Sequence, residues 1–201
     1  MERDQGMRNT VKVIVVAALL VALTGGAVLA ATINGTPKDD HLEGTSKADT
    51  ISGRAGNDYI EGLAGDDLLI GGKGDDTLWE RFGDDKLYGW AGDDTLIGWR
   101  GYDRLDGGDG HDKLVNGDEM YGGEGPDRIG DAVWNQPQGG SFSAYGGAGN
   151  DRINAEDHHF EVQDGISTPD TVECGAGEDT VKAESDDTVA DDCEHMEIVE
   201  H

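Results

Sequence analysis

Nine aspartates recur at intervals of nine residues: Asp40, Asp49, Asp58, Asp67, Asp76, Asp85, Asp94, Asp103 and Asp112. Two residues after each stands a branched aliphatic: Leu42, Ile51, Ile60, Leu69, Leu78, Leu87, Leu96, Leu105 and Leu114. The segment Gly71-Gly72-Lys73-Gly74-Asp75-Asp76-Thr77-Leu78-Trp79 shows the unit most fully. With its first glycine as position one, the carboxylate is position six and the aliphatic position eight. Position four is glycine in seven units, from Gly56 to Gly110, and position one is glycine in every unit but that of Glu80. Glycine at a fixed phase marks backbone that needs positive φ or close approach to another group. Carboxylates beside carbonyl-rich glycine turns are hard oxygen donors. Such a set suits an ion like Ca²⁺, which takes six to eight oxygens; Mg²⁺, with its tight octahedral demand and reluctant dehydration, is disfavoured.

The elements that position these carboxylates follow from the same register. Glycine recurs too often for long strands, so each unit reads as a six-residue turn and a three-residue strand such as Thr77-Leu78-Trp79. Alternation along a strand sends Leu78 and its equivalents inward and positions seven and nine outward. Position seven is polar or aromatic almost throughout, with Leu68 the aliphatic exception. One unit cannot bury its single aliphatic, whereas stacked units can, and that is the logic of a solenoid.

The repeat over Gly35–Val115 resembles the RTX, or haemolysin-type, calcium-binding nonapeptide family. This resemblance implies an all-β parallel β-roll with two nonapeptides per coil, alternating between two sheets. It also implies several Ca²⁺ ions, each held between turns two units apart. Carried onto this sequence, Asp58 pairs with Asp76, Asp67 with Asp85, Asp76 with Asp94, Asp85 with Asp103, and Asp94 with Asp112. These seven aspartates are the principal expected ligands. Asp40, Asp49, Asp127, Asp151, Asp170 and Asp179 are secondary candidates. Asp39, Asn57, Asp66, Asp75, Asp84 and Asp93, at position five, read as solvated turn residues, since Asp and Asn suit turns in any case.

The register is expected to be graded. Residues 31–52 read as capping repeats, because Lys38 and Lys47 stand where position four wants glycine. A cation there opposes a bound cation, so their sites are expected to be weak. Residues 53–115 read as the regular calcium-binding roll, with the carbonyl geometry of the Glu80 unit in doubt. Residues 116–201 read as an interrupted roll. Asn116–Tyr121 looks like a unit shortened by three, Gly122–Gly130 and Gly146–Asn154 are full units, and insertions fall at 131–145 and 155–164. Cys174 and Cys193 lie 19 residues apart, close to one 18-residue coil. A rung spacing of about 4.8 Å falls within the usual Cα range of a disulfide, about 4.4–6.8 Å. A bridge stapling the last coil is therefore expected, against two free buried thiols.

The chain carries 43 acidic against 15 basic side chains, a net charge of −28. That excess repels nucleic acid and anionic membrane surfaces. It also opposes compaction, so a folded state needs counter-charge. Residues 1–30 combine Arg3, Arg8 and Lys12 with an apolar run and small residues before Ala31, the marks of a secretory signal peptide; the rival reading is an uncleaved anchor. An extracellular location follows from either. No H-E-x-x-H, G-x-S-x-G or P-loop is present in the sequence. The expectation is a non-enzymatic calcium-binding repeat protein with a structural or adhesive role. The alternative is a secreted enzyme or toxin-like effector with a site on the insertions. Trp79, Ile97 and Val115, at position nine, form an expected outer strip for a cell-surface, glycan or self-association partner, unless they merely stack along the ladder.

Overall fold

The computed structural model describes residues 13–16, 29–130, 141–155 and 169–199. Two parallel sheets enclose one core. The first runs in the order Val13–Val16, Asp40–Glu43, Tyr59–Glu61, Thr77–Trp79, Thr95–Ile97, Lys113–Val115, Arg128–Ile129, Arg152–Asn154, Thr180–Glu184 and His195–Val199. The second runs Thr32–Asn34, Thr50–Ala55, Leu68–Lys73, Lys86–Ala91, Arg104–Asp109, Glu119–Glu124, Ser143–Ala148, Thr171–Ala176 and Thr188–Val189. Successive units alternate between the sheets, so each coil contains two of them, and no helix forms among the described residues. This is a parallel β-roll.

Position eight supplies the core. Leu42, Ile51, Ile60, Leu69, Leu78, Leu87, Leu96, Leu105 and Leu114 are all fully buried and belong to one hydrophobic cluster. Each contributes about 1.5–3 kcal/mol by leaving water. One side chain per strand gives a thin core, so stability is a sum of contacts between adjacent rungs rather than the property of a central mass.

The strands are less uniform than the glycine content leads one to expect. The first sheet keeps three-residue strands through its regular part. In the second sheet the strands run six residues, for example Leu68–Lys73, continuing past position nine into the next turn. The ladder survives there because position two takes positive φ in register. Arg54 (83°), Gly72 (123°), Trp90 (82°) and Gly108 (105°) are paired in successive rungs.

Beyond Val115 the coil length changes without loss of register. Arg104 pairs with Glu119 and Lys113 with Arg128, a coil of 15 residues. The next coils take 24 and then 28 residues, yet Tyr121 still pairs with Tyr145 and Ile129 with Ile153. Residues 131–140 and 156–168, which hold most of both insertions, lie outside the described residues, as does most of 1–30. Within 1–30, Val13–Val16 pairs parallel to Asp40–Glu43 at the end of the first sheet.

The expected outer strip needs correction at one residue. Trp79, Ile97 and Val115 do pair in register, but Val115 is fully buried. It sits at the break of register. Its neighbour one rung on is Gly130, where the chain turns out of the repeat with φ of 82°. Trp79 and Ile97 are half-buried, and the Arg81 guanidinium stacks on the Trp79 ring at 4.5 Å. At the far end, the sulfurs of Cys174 and Cys193 lie 2.03 Å apart and their Cα atoms 5.3 Å, disulfide distance.

Replacing Leu87 by Ala is expected to lower the unfolding free energy by about 2–5 kcal/mol. Urea denaturation in saturating calcium measures it. A loss under about 0.5 kcal/mol, the range of surface substitutions, would contradict a core built of single stacked aliphatics.

Candidate metal centre

The position-six aspartates close each turn against the next coil. The backbone N–H of Asp40 donates to Asp58 Oδ1 (2.8 Å), Asp58 to Asp76 (2.7 Å), Asp76 to Asp94 (2.7 Å) and Asp94 to Asp112 (2.8 Å). The chain of bonds continues through Asp127, Asp151 and Asp179. On the opposite edge Asp49 donates to Asp67, Asp67 to Asp85 and Asp85 to Asp103. All of these carboxylates are at most 4% exposed. The roll therefore has two edges, each a file of buried carboxylates.

One oxygen of each is committed to the ladder. The other is free in most units: Oδ2 of Asp58, Asp67, Asp76, Asp85, Asp94, Asp112, Asp127, Asp151 and Asp179 is buried with no hydrogen-bond partner. These oxygens face a cradle that glycine leaves open. A Cβ at Gly107 would lie 2.3 Å from Asp112 Oδ2 and 2.6 Å from the Gly122 carbonyl one coil on. The same carboxylate-and-carbonyl pair flanks Gly53, Gly89, Gly122 and Gly146. Unpartnered buried carboxylate oxygen beside converging carbonyls is the donor set that a hard divalent cation requires.

The unit that matches these features is matched independently by sequence. The model of the RTX calcium-binding nonapeptide repeat matches residues 34–69, 43–78, 81–105, 94–119 and 143–159, half of the chain in all. The chain belongs to this family. It is a calcium-binding repeat protein, of a fold that is typically structural rather than catalytic. No curated protein matches the chain.

The expected RTX ligands are not equivalent in the structure. Asp103 differs from the other six principal candidates because its Oδ2 accepts the Trp99 N–H at 3.0 Å. The Oδ2 of Asp40 and of Asp49 accepts the N–H of Thr36 and of Thr45 in the same way, each at 2.5 Å, although Asp40 Oδ1 is buried without a hydrogen-bond partner. Asp49 also accepts the Ala31 N–H on Oδ1. The conformation of position two separates the two classes in every such unit but that of Glu80, where Arg81 lacks positive φ, its N–H turns onto Glu80 Oε2 at 3.3 Å, and Asp85 Oδ2 stays free. Arg54, Leu63, Gly72, Trp90, Gly108, Gly123, Gly147 and Gly175 have positive φ, and the aspartate of each of these units keeps a free Oδ2. Thr36, Thr45 and Trp99 do not, and their N–H groups turn onto the carboxylate.

Three ladder residues were not among the candidates. Asp118 Oδ2 accepts the Asp103 N–H at 2.7 Å, taking the place of position six in the shortened unit. Asp187 accepts from Asp170, and Glu194 from Asp179, at the C-terminal end. Alignment of the shortened unit on its Met120 would have found Asp118. Glu194 carries no such signal, since its type and spacing both depart from the repeat. Position five forms a second, exposed ladder. The N–H of Asp75 donates to Asn57 Oδ1, that of Asp93 to Asp75, and that of His111 to Asp93, each at 3.1 Å. These side chains serve turns, as expected of solvated residues.

Burial dominates the electrostatics. It raises Asp58, Asp85, Asp112 and Asp151 to about 6, and Asp67, Asp76, Asp94, Asp103 and Asp127 to about 7, against the opposing pull of the backbone N–H bonds. Neighbouring carboxylates in the files add to the rise. The folded pKa values exceed the unfolded value of about 3.9, so without cations the fold binds more protons than the unfolded chain. That stability is full below about pH 4 and is lost as pH rises through 6 to 7. In chelator, the thermal midpoint by circular dichroism is expected to rise as pH falls from about 8 to 4. In calcium the trend should reverse, because protons and the ion compete for the same oxygens. A chelated protein that is more stable at the higher pH would contradict this.

Asp76→Asn and Asp103→Asn separate the two classes of aspartate. Calorimetry is expected to show fewer calcium ions bound by the Asp76 variant and an unchanged number for the Asp103 variant. Equal losses would show that position two does not grade the sites.

Proposed function

We propose that this chain is an extracellular, non-enzymatic calcium-binding roll whose folding is coupled to calcium. Its role is structural or adhesive at the cell exterior. The observation that carries the reading is the pair of buried carboxylate files, with a free oxygen in most turns and, among the described residues, no ion pair to a side-chain cation. Isolated buried carboxylates cost several kcal/mol each even after relaxation. An ion that binds only the folded arrangement offsets this cost and stabilises the fold by mass action. At low calcium the net charge of −28 favours an extended chain.

Extracellular modules bind calcium at about 0.1–1 mM, so the chain would fold on leaving a low-calcium compartment. The family's usual extracellular setting and the acidic, glycine-rich turns support this location. A structural role suits an elongated roll with exposed polar faces.

A calcium titration followed by far-ultraviolet circular dichroism tests the coupling. The β signal should be small in chelator at neutral pH and rise steeply over about 0.1–1 mM calcium. A full β signal in chelator, unchanged by calcium, would sink the coupled-folding reading.

A further inference from the structure

Position one is glycine throughout the regular roll except at Glu80. The two matches to the RTX repeat on either side end at 78 and resume at 81, leaving Trp79 and Glu80 unmatched. Glu80 is not turned to solvent; it is fully buried. Its carboxylate reaches back over the coil beneath, into the space of Gly62. A Cβ at residue 62 would lie 1.7 Å from Glu80 Oε1 and 2.7 Å from Asp67 Oδ2. Glycine at 62 is therefore what admits the glutamate.

The result is a cluster found nowhere else along the two carboxylate files among the described residues. Oxygens of Asp67, Glu80 and Asp85 all lie within 4.8 Å of one another. Glu80 Oε1, Asp67 Oδ2 and Asp85 Oδ2 are each buried without a hydrogen-bond partner. The adjacent Arg81 does not neutralise them. Its guanidinium pairs with Glu61 and stacks on Trp79, and only its backbone N–H reaches Glu80 Oε2, at 3.3 Å. Elsewhere position one offers a carbonyl oxygen to the cradle; here it brings a third carboxylate, whose pKa burial and then the neighbouring Asp85 and Asp67 raise to about 9 in the absence of a cation.

We propose that Asp67, Glu80 and Asp85 form a three-carboxylate cation site that loads before the other sites of the roll and accepts trivalent as well as divalent hard cations. The proposal rests on the calcium reading of the files and adds to it one site of distinct charge. Calcium affinity rises with the number of charged ligands, and a trivalent ion gains more from each added carboxylate than a divalent one. Early loading at this site would fix the middle of the roll, with coils on both sides left to add in turn.

The test uses the full chain, with calcium calorimetry and with terbium luminescence sensitised by the neighbouring Trp79. The wild-type protein should show one calcium site about tenfold or more tighter than the rest, and terbium should occupy it first. Glu80→Gln keeps the side-chain volume and removes the charge. Glu80→Gly restores the glycine of the other units, so it should fold in calcium. Both variants are expected to lose the tight site and the terbium emission at low occupancy, while the weaker sites remain. Unchanged binding in both would overturn the proposal. Tighter binding, or one more ion, in Glu80→Gly would also overturn it and show that the glutamate fills the place of an ion. A wild-type chain that binds no calcium would instead defeat the reading on which the proposal rests.

Discussion

The roll depends on one repeated hydrogen bond, from the N–H of a position-six aspartate to the Oδ1 of the aspartate one coil on. It fixes the turn, sets the rung spacing on that edge and places the next carboxylate directly over the last. It also creates the central conflict of the structure, because each bond adds another buried negative charge to a file of them. Backbone N–H groups ease the conflict without removing it. The carboxylates of Asp67, Asp76 and Asp94 still sit at about 7. The fold organises charge that it does not itself neutralise, and this makes a cation part of its architecture.

Glycine makes the close stacking of turns possible. At position four, Gly92 has φ of 133°, and a Cβ there would lie 2.2 Å from the Gly74 carbonyl. No side chain fits between turns this close. The strands need no such provision; their Leu and Ile side chains set a comfortable distance across the core. The roll is thus tightest at its edges, where the carboxylates are, and its hydrophobic interior is only one residue deep per strand. Edges and core therefore fail differently. Loss of an aliphatic weakens one junction, whereas loss of counter-charge acts on every coil of an edge at once.

Much of this was legible in the sequence. The fixed phase of Asp76 and Leu78 and their equivalents specifies both the inward face and the buried carboxylates, because a nine-residue period leaves one arrangement that buries every aliphatic. The shortened unit at 116–121 was also readable. Three features were not. The six-residue strands of one sheet pass through positive φ at position two, which Arg54 and Trp90 adopt although their types disfavour it, as does Leu63 beyond a three-residue strand of the other sheet. The same conformation, except beside Glu80, goes with whether a backbone N–H closes the carboxylate, so the difference between Asp103 and its neighbours could not be read from spacing. Burial of Val115 depends on where the chain leaves the repeat at Gly130, an irregularity that a periodic reading averages away.

Position two and position one act on the carboxylate files in opposite directions. A non-flipped peptide at Thr36, Thr45 or Trp99 adds a donor and makes the local carboxylate less dependent on an ion. Glu80 adds a third acceptor and makes its neighbourhood more dependent. Both kinds of departure leave the aliphatic file and the strand register untouched, since Leu87 and Leu105 are as fully buried as Leu69. Cation demand can therefore vary from coil to coil at fixed fold. The regular sequence hides this variation because its invariant residues build the scaffold, whereas residues beside them set how strongly each turn needs its ion.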